Sequence, residues 1–319
     1  EDEINSFPHK NVVSDVLKLR RQALVYLAGK DVKKKIWLLS DRVNAANDNG
    51  EALFRYLNDI KDPSVEAYYI IDSNSNDYER MKEYGNVVAH GSRQHMLLQM
   101  IADFIVSSAG DEEVINPWHQ NLAKSEVIRD FLSKPEFIFL QHGITKDDIS
   151  GWLNRYNKNI TGFVCAAHRE AQSILDYDYY YKEENVWLTG FPRHDRLYNN
   201  EKKYVTIMPT WRKWLTDGKN GNKPVKEFVH SDYYKFFNGL INCNRLLIAA
   251  EKYGYSICFM PHPSVQQVLN LFEKDRRVNF FASEKPYNEI YAESNLVVTD
   301  YSSACMDFAL LEKPVIYCQ

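Results

Sequence analysis

Five apolar stretches of this chain stop on groups able to do chemistry. Phe137 to Leu140 lead into Gln141-His142-Gly143, and "NVWLTG" leads into Phe191-Pro192-Arg193-His194-Asp195. "YVTIMP" delivers Thr210-Trp211-Arg212, "YSICFMP" delivers His262, and "NLVVTD" delivers Tyr301-Ser302-Ser303. Singly, a terminal histidine is commonly a hydrogen-bonded structural group, and an arginine an ordinary ion-pair partner. Together they supply imidazoles, His142 and His262 among them, the two guanidiniums of Arg193 and Arg212 and a hydroxyl-rich turn, a set suited to phosphoryl transfer. Imidazole titrates near neutrality, so His142 suits a base that takes a proton from an attacking hydroxyl. His262 suits protonation of, or a hydrogen bond to, the leaving phosphate. The guanidinium forks of Arg193 and Arg212 match phosphate oxygens and offset charge building on a leaving group. Ser302-Ser303 opens the helix-like "SACMDFALLE", whose free N–H groups suit a phosphate as well as a plain N-cap explains the serines. Asp307, four residues past Ser303, shares its helix face and is placed to orient the turn or meet a ligand hydroxyl.

Rigid elements must hold these groups. Strand-like and helix-like segments alternate along the chain, which predicts α/β architecture with parallel sheets. "KKIWLLS", "VEAYYIID", "NVVAH", "DFIVSS", "FIFLQHG", "GFVCAA" and "NVWLTGFPR" read as strands of a first half. "GEALFRYLNDI", "DYERMKEYG" and "SRQHMLLQMIA" read as helices between them. In the second half "YVTIMPTWR", "YSICFMPHP", "VNFFA", "LVVTDYSS" and "PVIYC" are the apolar runs. "SDYYKFFNGLINCNRLLIAAEKYG" reads there as one helical stretch, with a further helix near "SVQQVLNLFEKD" and another from Ser303. The Gly/Asn/Lys-rich segment from Leu215 to Glu227 reads as a mobile loop. A boundary near Asn199 to Lys203 gives two domains, 1–200 and 201–319. Open parallel sheets bind ligands at the carboxyl ends of their strands. His142 and His262 fall in opposite halves, which suits a cleft between domains.

The 319 residues carry 39 basic and 43 acidic side chains, a net charge of -4, so local cations must hold any anionic ligand. Nucleic acid is not the expected partner. Five scattered cysteines predict reduced thiols and a cytoplasmic setting. Apolar runs fall short of the roughly 20 residues that a membrane helix needs. Lys18, Arg20, Arg21, Lys30 and Lys33 to Lys35, with apolar residues at helical spacing, form a basic N-terminal stretch. It is either a solvated face of a packed helix or a contact with the anionic inner face of a membrane. Asp147 and Asp148 read as solvated loop carboxylates before they read as ligands of a divalent metal, and no cofactor is required. Tyr177 and Tyr179 to Tyr181, in a chain with 21 tyrosines, read as packing before they read as a carbohydrate platform. The chain lacks an initiator Met and ends on a strand-like run, so it is expected to be a fragment.

The ordered set "DNGEALFRYL", "FLQHGITKDD", "TGFPRHDRL", "MPTWR", "PHP" and "TDYSSACMDFALLEKPVIY" resembles the CDP-glycerol glycerophosphotransferases of teichoic-acid and capsule synthesis. The resemblance covers most of the chain and implies a GT-B-like fold of two Rossmann-like domains. It puts the acceptor side in the first domain and the CDP-alditol donor in the second. The reaction it implies moves glycerol or ribitol phosphate onto a polymer or lipid-linked hydroxyl and releases CMP. His142 and His262 match the motif histidines, and Arg193 and Arg212 match arginines near the donor phosphates. Thr299, Ser302, Ser303 and Asp307 match the donor motif, while Asp48, Asn49, Gln141 and Gly143 fall on the acceptor side. Many relatives have Trp-His-Gly where this chain has Gln141-His142-Gly143, which bears on acceptor or donor choice. A nucleotide-sugar glycosyltransferase of the same fold, or a non-catalytic polymer- or membrane-binding module, are the competing readings.

Overall fold

The computed structural model describes residues 10–29, 34–119, 134–210, 212–217, 223–224, 227–262, 268–281 and 285–318. The chain divides into two compact units, Glu1–Asp195 and Arg196–Gln319. The expected linker at Asn199 to Lys203 belongs to the second unit. There the N–H groups of Asn200 and Lys202 donate to the carbonyls of Ala292 and Glu293 at 3.0 and 2.9 Å.

The first unit is one seven-stranded sheet: β1 (Lys35–Ser40), β2 (Val65–Ile71), β3 (Asn86–Ala89), β4 (Phe104–Ser107), β5 (Glu136–Phe139), β6 (Ile160–Cys165) and β7 (Val186–Leu188). The order is β3-β2-β1-β4-β5-β6-β7, and every pairing is parallel. Because parallel strands need crossovers, helices cover both faces and the strands read as continuous apolar runs. Successive side chains still alternate. Ile36, Leu38, Tyr68 and Ile70 pack on one face with α1 (Lys10–Ala28), which buries Val16, Leu19 and Ala23 at helical spacing. Leu39, Tyr69 and Ile71 pack on the other with Phe54 and Leu57 of α2 (Asn49–Asp59). The remaining helices here are α3 (Tyr78–Lys82), α4 (Arg93–Ile101), α5 (Glu112–Ile115), α6 (Ser150–Leu153), α7 (Arg155–Lys158) and α8 (His168–Asp176). Tyr179 and Tyr181 are buried beside Phe163, whereas Tyr177 and Tyr180 are exposed. Packing therefore accounts for two members of that tyrosine cluster.

The second unit repeats the plan with β8 (Tyr204–Met208), β11 (Ser256–Phe259), β12 (Val278–Phe280), β13 (Ser294–Thr299) and β14 (Val315–Tyr317). The order is β12-β11-β8-β13-β14, again all parallel. The expected long helix is two, α9 (Asp232–Ile241) and α10 (Asn244–Tyr253). The break follows from Asn242, whose side-chain amide donates to the carbonyls of Asn238 at 2.8 Å and Glu273 at 3.0 Å. Two shorter helices complete the unit, α11 (Tyr287–Glu293) and α12 (Ala304–Ala309). Within the expected loop after Leu215, β9 (Thr216–Asp217) and β10 (Lys223–Pro224) pair antiparallel. Residues 218–222 and 225–226 of that loop, Trp211, and the start of the helix expected near "SVQQVLNLFEKD" lie outside the described residues.

Candidate active site

In each sheet the strand order reverses beside the first strand, at β1/β4 and β8/β13, and such switch points open a crevice at the carboxyl edge. At the first, Asp41 follows β1 and turns back onto the start of α2. Its carboxylate accepts the N–H groups of Gly50 (2.6 Å), Glu51 (3.0 Å) and Asp48 (3.1 Å). It also accepts the hydroxyls of Ser108 (2.5 Å) and Tyr69 (2.8 Å). The helix thereby finds partners for N–H groups that its own ladder leaves open. Burial, reinforced by the charge of Asp48, pushes the Asp41 carboxyl up to about 6. So close an approach needs glycine at position 50: a Cβ there would lie 2.3 Å from the Ser40 carbonyl oxygen.

Asn49, fully buried, joins three segments. Its amide donates to the carbonyls of Leu140 (3.3 Å) and Gln141 (2.7 Å), and its carbonyl accepts the Arg193 N–H at 3.1 Å. Asp48 caps α2 and holds the Arg193 guanidinium at 2.7 Å. Behind them the buried Glu51 takes a two-pronged bond from Arg80 at 2.9 and 2.8 Å. Gln141 has φ +59°, a left-handed conformation unusual for a side chain of this size. Its amide donates to the Val164 carbonyl (2.6 Å) and Glu170 (3.1 Å) and accepts the Thr145 hydroxyl (2.7 Å). Gln141, expected on the acceptor side, is 2% exposed and points inward, so it shapes the turn that presents His142 and Gly143.

His142 itself is exposed. It lines a cavity of about 870 Å³ shared with Arg42, Asp72, His90, Asp111, Glu113 and His119. Surrounding protein desolvates the ring and, with the cations Arg42 and Arg193, lowers its pKa. A hydrogen bond with the Ser108 main chain and the charge of Asp111 act in the opposite direction. The result favours neutral imidazole, the form able to accept a proton. Arg42 was missed by the sequence reading, although "KIWLLS" ends in Asp41-Arg42 as clearly as the other strands end in polar groups. Asp148 accepts the Ser150 N–H at 2.9 Å, and Asp147 lies 3.8 Å from Lys146. No group of three or more His, Cys, Asp or Glu able to hold a metal ion occurs among the described residues.

At the second switch point Arg212 and Asp300 pair at 2.6 Å. Asp300 also accepts the N–H groups of Thr210 and Tyr301, each at 2.8 Å. Burial opposes its ionisation, but these donors and Arg212 prevail and lower its pKa. The Arg212 guanidinium lies 5.0 Å from the Tyr301 ring centre and 5.9 Å from that of Tyr233. These residues line a cavity of about 880 Å³ with Trp214 and Phe236. Thr299 is buried, its hydroxyl donating to the Met208 carbonyl at 2.7 Å, so it ties β13 to β8. Ser303 makes no side-chain cap on α12, while Ser302 Oγ accepts the Ala304 N–H at 3.2 Å. Asp307 is buried. His262 is half-buried three residues beyond β11, whose ladder Met260 extends through its N–H to the Ile207 carbonyl. Of the expected site residues, Asp48, Asn49, Gln141, His142, Gly143 and Arg193 thus belong to the first unit, and the others to the second.

The family model of CDP-glycerol:poly(glycerophosphate) glycerophosphotransferase matches residues 23–319. The chain belongs to that family. Over 292 residues it is 42% identical to the minor teichoic acid biosynthesis protein GgaB of Bacillus subtilis (strain 168), covering 90% of this chain and 32% of that protein. It is 28% identical over 155 residues to the teichoic acid ribitol-phosphate polymerase TarK of Staphylococcus aureus, covering 43% of this chain and 27% of the relative. The chain therefore spans about a third of the length of these curated relatives. Among solved structures, the wall teichoic acid polymerase TagF superposes with a TM-score of 0.59 at 16% identity, over 96% of this chain and 77% of that one. The MnaA–UDP structure from S. aureus superposes with a TM-score of 0.53 at 13% identity, over 90% of this chain and 79% of that one. These likenesses bear out the expected α/β, GT-B-like fold.

Proposed function

We propose that the chain transfers an alditol phosphate, glycerol or ribitol phosphate, from a CDP-alditol to a hydroxyl of a teichoic-acid or capsule-like polymer or lipid-linked acceptor, releasing CMP. The observation that carries this reading is His142: exposed on a polar cavity at the carboxyl edge of a parallel sheet, with its pKa lowered so that neutral imidazole is favoured. In this reading the acceptor oxygen attacks phosphorus and its proton passes to the His142 ring nitrogen. The P–O bond to CMP breaks, and CMP leaves with the electron pair. His262 hydrogen-bonds the departing phosphate, and Arg193 and Arg212 offset its charge. The first unit serves the acceptor and the second the donor, with Ser302 and Ser303 near its phosphates. The GgaB and TarK names, both of teichoic-acid proteins, support the substrate class.

The test is CMP release from CDP-glycerol, CDP-ribitol and a panel of UDP-sugars, with and without a lipid-linked acceptor. CMP formation dependent on the acceptor is expected, and turnover of UDP-sugars alone would overturn the reading. Replacing His142 with Ala should lower turnover about 10²- to 10⁴-fold in a folded protein. Near-normal CMP release would remove His142 from the role of base.

No helix among the described residues is long and apolar enough to cross a membrane. In our reading α1 instead lies on an anionic membrane surface. It exposes Leu17, Leu24 and Val25 outside its packed stripe, with Lys18, Arg20 and Arg21 exposed beside them. Lys30 and Lys33 of the same basic stretch lie outside the described residues. Flotation with phosphatidylglycerol vesicles but not phosphatidylcholine vesicles is expected, and equal recovery with both would refute a charge-driven contact.

A further inference from the structure

Three arginines stand at carboxyl-edge positions, and they differ in what already answers their charge. Arg193 is held by Asp48 at 2.7 Å, and Arg212 by Asp300 at 2.6 Å. Arg42 is exposed and forms no ion pair among the described residues. It follows Asp41 directly, and Asp41 is clamped by five hydrogen bonds, so its backbone is anchored while its side chain remains available. It also lines the cavity that His142 lines.

The chemistry of transfer makes that neighbourhood specific. A base must lie about 3 Å from the hydroxyl it deprotonates, and that oxygen about 3–3.5 Å from the phosphorus it attacks. A guanidinium that lines the same cavity as the base, and whose charge acts on that base, is suited to meet the non-bridging phosphoryl oxygens. The carboxylates of Asp72, Asp111 and Glu113, which line the same cavity, are hydrogen-bond acceptors suited to the hydroxyls of a polyol. A lining with an open cation, a neutral base and acidic groups fits a polyol phosphate better than a neutral sugar or a bare anion.

We infer that Arg42 is a further catalytic residue, the guanidinium that holds the transferred phosphoryl group beside His142. The inference rests on the transfer reading above. In the step it assists, the acceptor O–P bond forms, the P–O bond to CMP breaks, and the acceptor proton moves to His142. Arg42 makes no bond to phosphorus and stabilises charge on the equatorial oxygens.

Replacing Arg42 with Gln should lower kcat about 10²- to 10³-fold, and replacing it with Lys should restore part of that loss. The acidic limb of the kcat/KM profile should also move. Arg42 disfavours the imidazolium, so its loss raises the pKa of His142 and the limb shifts to higher pH. The other groups acting on His142, namely Arg193, Asp111 and the Ser108 main chain, and the His90, His119, Asp72 and Glu113 side chains that share its cavity, are unchanged in that variant. An NMR titration of the His142 ring with glycerol 3-phosphate gives a readout independent of turnover. Bound phosphate should raise the His142 pKa in the unaltered protein and much less in R42Q. Equal shifts in both proteins, or none in either, overturn the role of Arg42 whether or not any CDP-alditol is consumed. A shift lost in R42Q, alongside no CMP release from any CDP-alditol by the unaltered protein, instead overturns the transfer reading and leaves a polyol-phosphate site.

Discussion

Asp41 in the first unit and Asp300 in the second flank equivalent reversals of strand order, yet their surroundings differ. Asp41 is enclosed by three backbone N–H groups and two hydroxyls, with no cation among its hydrogen-bond partners. Asp300 has two backbone N–H groups and the guanidinium of Arg212. The first is a staple that fixes the start of α2 and, through it, Asn49 and Arg193. The second is an anchor that fixes the direction of an arginine on an aromatic-lined cavity. Each switch point thus carries a carboxylate, after the first strand β1 in one sheet and after its neighbour β13 in the other, and the neighbouring chain decides whether it organises backbone or aims a charge.

The most damaging test of the staple is Gly50→Ala. With a Cβ 2.3 Å from a backbone oxygen, α2 must shift away from β1. We expect a loss of about 3 kcal/mol or more in denaturant unfolding of the first unit. A near-neutral change would mean the contact is loose.

The pH dependence separates the two carboxylates further. Because the folded state binds the Asp41 proton more tightly than the unfolded chain, stability should fall as pH rises from about 4 to about 6 and then level off. The full contribution is about 3 kcal/mol, and Asp41→Asn should flatten that interval. For Asp300, whose folded pKa is lowered, the associated stability is present above about 4 and lost on further acidification. Asp300→Asn should therefore leave the interval between 4 and 6 unchanged. Its own cost, about 2 kcal/mol in denaturant unfolding, comes from leaving Arg212 partly buried without its counter-charge. If the two variants altered the same pH interval, the proposed division of labour would be wrong.

Much of this was legible in the residues. The strands are apolar runs too long and too uniform for a half-solvated sheet, and their polar ends mark the edge where His142 and Arg212 stand. What escaped depended on tertiary partners. The break between α9 and α10 needs the Glu273 carbonyl, contributed from 31 residues away, to reward a turn at Asn242. The resemblance puts Gln141 on the acceptor side; only the fold reveals Val164 and Glu170 behind it. Arg42 was hidden for the opposite reason. The polar stretch from Asp41 to Asn49 has no periodicity and no motif at Arg42, so nothing in it marks a strand end carrying chemistry. Thr299 falls on the donor motif, and Asp307 on both that motif and the helix face of Ser303; both are buried in the second unit, which spacing alone does not reveal.

Asn49 has a practical consequence for redesign. Since one side-chain amide stitches together the end of β5, the first turn of α2 and the turn bearing Arg193, those loops form a single cassette. Grafting one of them from a relative to change substrate choice would orphan two buried partners, whereas moving all three as a set keeps the seam intact.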